Sequence, residues 1–417
     1  MKPKSAQLVM FILAFLTAAL VSVNSAQAAS EQKVLFAFDG TNGANSTAPL
    51  IFDANGNLFG TTDKGGNYNQ VCAGGCGTVF ELSPVANGKW TEKLVYRFCS
   101  VAHCTDGRAP VAGLTFDASG NLYGTTSENG GTVFQLRPGT DGKWTETVLH
   151  EFKGKDGSTP AAGIILDASG SLYGTASGGG SNSCSGGCGT VFKLSLGTDG
   201  VWTETVLYAF NGNNGSHPHG NLVFDGSGNL YGTTSAGSTR GYGNVFKLTL
   251  GGDGKWREKV LRAFSATSGP SIAGLMFDST GNLYGTTSAE GGTFFGSVFR
   301  LAPGENGKWT NTVLHTFQGK RAATPLAGVI LDAAGNLYGT TGAIDGSVFE
   351  LSPGASGTWK LKILHSFNER MGGNSPFAGV TADPAGNLYG TTFQGGHNRG
   401  NCSQGGNGCG VVFEVTP

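Results

Sequence analysis

A chain of 417 residues with 72 glycines, 13% charged residues and a formal net charge of −1 lacks the basic footprint of a nucleic-acid partner. Charged residues are about half the usual share of a globular chain. Short strands separated by glycine-rich turns account for this composition, and no stretch of the mature chain shows a useful helical period.

The first element in chain order is a targeting segment. Lys2 and Lys4 precede an apolar run over residues 8–21, and Ala26-Gln27-Ala28 supplies a small-x-small cleavage site. The run is short for a membrane span, so residues 1–28 read as a cleaved signal peptide and residues 29–417 as one mature domain. No cysteine lies in the leader, which argues against a lipid anchor, and no second long apolar run follows. The mature chain is therefore expected to be exported, periplasmic or extracellular, soluble and monomeric.

A short strand, Val34-Leu35-Phe36-Ala37-Phe38, comes next, and then a repeat. Its core word is Leu-Tyr-Gly-Thr-Thr, at 122–126, 230–234, 283–287, 337–341 and 388–392. Variants with Phe59 and Ala176 stand at 58–62 and 172–176. The spacing of roughly fifty to sixty residues indicates a propeller or a similar array. Each repeat holds four strands, a to d. In the second repeat these are the Ala112-Gly113-Leu114-Thr115-Phe116-Asp117 run, the Leu122 word, Thr132-Val133-Phe134-Gln135-Leu136, and the run starting at Trp144. Strands a, b and c occur seven times, but the tryptophan-led strand d only six, at Trp90, Trp144, Trp202, Trp256, Trp309 and Trp359. The chain stops after a seventh strand c at 411–415. Residues 33–38 can supply the missing outer strand, and the fold class follows: an all-β, seven-bladed propeller of four antiparallel strands per blade, closed by the N-terminal strand.

Topology puts the a–b and c–d turns on one face and the b–c and d–a loops on the other. Seven aspartates open the a–b turns: Asp53, Asp117, Asp167, Asp225, Asp278, Asp332 and Asp383. The turns are too short for a six-oxygen calcium site, so each aspartate is expected to cap its own turn. Variation concentrates in the loops, where binding groups usually sit on a rigid scaffold. Candidate ligand-binding residues there are Tyr68, His103, Arg108, His217, His219, Tyr242, Phe294, Phe295, Glu369, Arg370, Phe393, His397 and Arg399. His150, His315 and His365 share one repeat position with Tyr96, Tyr208 and Arg262, an interchange that reads as packing. No Ser–His–Asp order, paired-carboxylate pattern or phosphate-cradling motif stands out, so no catalytic residue, cofactor or metal is assigned.

The eight cysteines form four close pairs: Cys72/Cys76, Cys99/Cys104, Cys184/Cys188 and Cys402/Cys409. In an exported chain these are disulfide candidates. A four-thiolate zinc site is the disfavoured rival, and cross-pairing among Cys72, Cys76, Cys99 and Cys104 stays open.

The tandem Asn-Leu-Tyr-Gly-Thr-Thr word, followed by a glycine-rich gap and Gly-x-Val-Phe-x-Leu, resembles the choice-of-anchor tandem repeat GloVer proteins over essentially the whole mature chain. That resemblance implies export and brings no activity with it. Family members differ in a C-terminal anchor, whereas this sequence ends at Thr416-Pro417 with no sorting tail. The Asp-x-x-Gly-Asn-Leu-Tyr hairpin is also similar to NHL-type and streptogramin-lyase-like propellers, in the hairpin alone. The expected function is non-enzymatic binding of a glycan, another polymer or a partner protein through the loop face. The alternatives are a lyase or hydrolase at the channel mouth, built from His217, His219 and Arg108, and a purely structural envelope or matrix protein.

Overall fold

The computed structural model describes residues 30–267, 269–289, 295–319, 323–342, 345–367, 372–396, 402 and 407–417. The expected signal peptide, and the candidates Phe294, Glu369, Arg370, His397 and Arg399, lie outside the described residues. Seven antiparallel sheets form the ring, six of four strands and one of five. Blade 2 is typical, with strand a at Thr115–Phe116, b at Leu122–Thr126, c at Thr132–Pro138 and d at Trp144–Glu151. Strand a is only two residues long in every blade. The Ala-Gly residues expected within it precede it instead and line the channel. The last blade takes Glu31–Ala37 as its outer strand, paired antiparallel with Val411–Thr416, so the N-terminal strand closes the ring.

Each letter of the repeated word has a structural reason. Leucine is fully buried between blades, as at Leu122 and Leu172. Glycine lies under the strand-c phenylalanine. A Cβ on Gly124 would sit 2.5 Å from Phe134 Cζ, and one on Gly60 would sit 2.6 Å from Phe80 Cζ. The first threonine bonds to the next blade, with Thr61 Oγ1 donating to Ala112 O and Thr125 Oγ1 to Ala162 O, both at 3.1 Å. The second ties strand b to the start of strand c, as in the 2.8 Å Thr126–Thr132 hydroxyl pair. Tyrosine reaches back to the a–b turn, where Tyr123 Oη donates to Asp117 Oδ2 at 3.0 Å. The other carboxylate oxygen of Asp117 accepts the backbone N–H groups of Ser119 and Asn121. The turn aspartates are thus caps of their own hairpins.

The core is distributed over the seams between blades. The phenylalanine after each strand d packs against the strand-c phenylalanine of the next blade, edge-on in six seams and tilted at Phe367–Phe413. Centroid distances run from 5.0 Å for Phe98–Phe134 to 5.9 Å for Phe264–Phe299. The Phe38–Phe80 pair, at 5.1 Å, carries this ladder across the closure. Such pairs contribute about 0.5–1.5 kcal/mol each beyond area burial. A bulge between strands c and d recurs, at Val79/Phe80 and Val133/Phe134 for example, and adds twist to the outer edge.

A backbone latch crosses six of the seven seams at the channel rim, blade 5 having Pro270, which lacks an N–H, at that position. Asn45, Ala109, Thr159, His217, Thr324 and Ser375 occupy one repeat position, and all have left-handed φ between 54° and 59°. Their N–H groups donate to the preceding blade: Asn45 to Cys409 O, Ala109 to Cys76 O and His217 to Cys188 O, at 2.8–2.9 Å. Three latches therefore land on the second cysteine of a disulfide. All four pairs are bonded locally: Cys72–Cys76, Cys99–Cys104, Cys184–Cys188 and Cys402–Cys409. The sulfurs of Cys72, Cys76, Cys99 and Cys104 lie within 4.8 Å of one another, yet they pair within their own loops. Among the described residues, no helix is long and apolar enough to cross a membrane.

Candidate functional site

The d–a loops enter the channel two residues after the latch, and one side chain per blade forms a ring there. The ring is Thr47, Val111, Ala161, His219, Ile272, Leu326 and Phe377, at the edge of a cavity of about 690 Å³. Two residues further in, the wall is Pro49, Gly113, Gly163, Asn221, Gly274, Gly328 and Gly379. Backbone meets backbone at this level, because a Cβ on Gly328 would lie 2.8 Å from Gly274 O. Blade 4 breaks both rings. It presents an imidazole where its neighbours are aliphatic or small, and an amide where they have glycine.

The break extends into the hydrogen bonding. Asn221 Oδ1 accepts from Gly163 N at 2.7 Å. Thr175, the threonine that should bond to blade 4, is 1% exposed and its hydroxyl has no partner. His-Pro-His-Gly-Asn stands where blades 2, 3, 6 and 7 have Pro-x-Ala-Gly, and Ser216–Pro218 forms an extra strand on Leu230–Ala236. Burial holds the His219 imidazole below its usual pKa, and nearby His217 adds to the effect. His219 is therefore neutral at pH 7 and able both to donate and to accept a hydrogen bond.

The other sequence candidates divide by role. Phe393 packs on Phe377 with centroids 5.2 Å apart, so it belongs to the channel mouth. Tyr68 and Tyr242 are 36% and 41% exposed on the loop face, and Tyr68 Oη donates to Gly40 O. Phe295 packs against the Tyr284–Phe317 core cluster. His103 is exposed, in a single helical turn at Ala102–Cys104. Arg108 is committed elsewhere, with Nε 3.2 Å from Glu128 Oε2 and Nη1 donating to Val71 O. His217 has its Nδ1 3.1 Å from Ser216 Oγ. Among the described residues, no hydrogen bond or ion pair joins His217 or His219 to Arg108.

Sequence reasoning missed a set of acids in the seams. Glu92, Glu146, Glu204 and Glu258 follow the strand-d tryptophan by two residues, and each has one buried carboxylate oxygen without a hydrogen-bond partner. Burial pushes all four up to about 7. Asp39, Asp106 and Asp156 raise Glu92, Glu146 and Glu204 further. The recurring Trp-x-Glu was the available signal. The packing interchange at His150 and Tyr96 holds: each ring lies edge-on to the following phenylalanine.

The geometry defines a closed seven-bladed propeller with a largely apolar channel mouth and one polar blade. The chain belongs to the Gloeobacter/Verrucomicrobia repeat family, whose pattern matches residues 19–186 and 181–403. No curated protein matches it. Among solved structures it is similar to the extracellular domain of a B. thetaiotaomicron protein described as a one-component system. The TM-score is 0.55 at 12% identity, over 92% of this chain and 39% of that one. It is also similar to a Bacteroides uniformis protein described as a 6-phosphogluconolactonase, with TM-score 0.51 and 15% identity over 75% of this chain and 84% of that one. The periplasmic gluconolactonase of Pseudomonas aeruginosa gives 0.50 and 13%, over 81% and 96%. At these identities the likeness concerns the fold alone.

Proposed function

We propose that the chain is an exported, non-enzymatic binding propeller that holds a glycan or similar polymer at the channel mouth of its loop face. The observation that carries this reading is the ring at the mouth. Its described residues are aliphatic or aromatic apart from His219 and Thr47, with Asn221 below. A cavity with an apolar wall and a few placed polar groups suits recognition. Among its described lining residues there is no acid–base pair to move protons between reacting atoms. The face of a sugar ring can lie on Phe377, braced by Phe393, while hydroxyls exchange hydrogen bonds with His219 and Asn221. Four disulfides fit an oxidising compartment and support export.

The test is a glycan array probed with the mature protein, followed by calorimetry on any hit. Phe377→Ala and His219→Ala should each weaken binding by about three- to tenfold with little change in fold stability. Binding unaffected by either substitution defeats the reading.

A further inference from the structure

The repeat is broken a second time, on the opposite face. In six blades the tyrosine of the core word donates to its own turn aspartate, at 2.9–3.2 Å. Blade 1 has Phe59 instead. Asp53 Oδ2 is left with amide donors only, Asn57 Nδ2 at 2.8 Å and Asn55 Nδ2 at 3.5 Å. The residue paired with this position on strand c varies round the ring. Blades 2, 3 and 4 place Gln135, Lys193 or Lys247 against the tyrosine. Blade 1 places Glu81 there, 3.6 Å from Lys93 Nζ, as blades 6 and 7 place Glu350 and Glu414.

A cavity of about 640 Å³ opens at this seam between blades 1 and 2. Its apolar side is aromatic. Phe59 lies edge-on to Phe116 at 5.2 Å and to Trp144 at 5.9 Å. Its polar side is Asp53, Glu81 and Lys93. We infer that this seam is a carbohydrate subsite for a neutral sugar ring, distinct from and independent of the loop-face reading. The less polar face of the ring packs on the indole, and its hydroxyls donate to Asp53 Oδ2 and Glu81 and accept from Lys93. Carboxylates outnumber cations in the lining, so a uronic acid is repelled where a neutral hexose is accepted.

Phe59→Tyr is the decisive variant, because it restores the residue used by the other six blades. The new hydroxyl caps Asp53 and occupies the cavity without disturbing the fold. The full mature protein is titrated with cellohexaose, xylohexaose, mannohexaose and a galacturonic acid hexamer, followed by saturation-transfer NMR and tryptophan emission. Wild type should bind at least one neutral hexamer and not the uronate. Phe59→Tyr should weaken that binding by about tenfold or more at unchanged Tm. His219→Val/Asn221→Gly should leave it intact, which separates this site from the channel mouth. Failure of all three neutral hexamers to bind, or equal binding by Phe59→Tyr, overturns the inference.

Discussion

The two faces of the ring are built from the same repeat and solve different problems. On the turn face the Asp–Asn–Tyr hairpin is copied with hydrogen bonds that vary by a few tenths of an ångström. On the loop face the backbone latch recurs in six blades, and the side chains around it change from blade to blade. The difference teaches that regularity here belongs to the scaffold. Chemistry is to be sought where the pattern breaks, at His219 and Asn221 above and at Phe59 below.

The largest effect should come from the closure, which both faces share. Removing residues 31–38 takes away the outer strand of the last blade and the Phe38–Phe80 contact. Thermal unfolding of the truncated chain should lose its cooperative transition, whereas Phe38→Ala alone should cost about 3–5 kcal/mol. An unchanged melting curve after truncation breaks the closed-ring account.

Next comes the glycine of the core word. Gly124→Ala drives a methyl group to 2.5 Å from Phe134 Cζ, an overpacking that should cost about 1–3 kcal/mol in denaturant unfolding. The turn caps should follow. Asp117→Ala loses two backbone amides, Asn121 Nδ2 and the Tyr123 hydroxyl. Asp53→Ala loses the same kind of amide contacts but no tyrosine hydroxyl, so it should cost about 1 kcal/mol less. Equal losses at the two positions blur the contrast between blade 1 and its neighbours.

The seams should make stability depend on pH in a definite direction. Glu92, Glu146, Glu204 and Glu258 rise from an ordinary 4.5 to about 7 in the fold. The folded chain holds protons that the unfolded chain has released, so their contribution is present below about pH 4.5 and lost as pH rises through about 7. The turn aspartates are held below their ordinary value by their hydrogen bonds, which outweigh desolvation, and they lose their contribution as pH falls below the carboxylate range. Tm should therefore peak near about pH 4.5, fall as pH rises toward about 7 and level off above it. Replacing the four glutamates with glutamine should flatten the alkaline side. The smallest contrast lies on the first threonine of the word. Thr125→Val should cost about 1 kcal/mol because it loses the bond to Ala162 O, while Thr175→Val should cost nothing or stabilise, since that hydroxyl has no partner.

Blade number, closure and local cysteine pairing were legible because the repeat counts its own parts: six tryptophan-led strands for seven core words, and cysteines four to seven residues apart. The aspartate caps were legible from turn chemistry. The channel ring was not, because it is assembled from one residue in each of seven distant segments, and Ile272, Leu326 and Phe377 look like core residues along the chain. His219 stands out along the chain for its chemistry, whereas Asn221 does not, since a lone amide in a loop carries no pattern. The seam glutamates were hidden for the opposite reason. Their neighbours Thr145 and Thr147 face outward, and a period of two conceals which charged position on a strand turns inward.

The central claim is that binding resides where blade 4 departs from the repeat. The most direct measurement compares wild type with His219→Val/Asn221→Gly on one glycan array, with matched thermal unfolding curves. The account predicts that the repeat-restored protein folds and loses the loop-face ligand. Retention of that ligand at full strength by a folded double variant would contradict it.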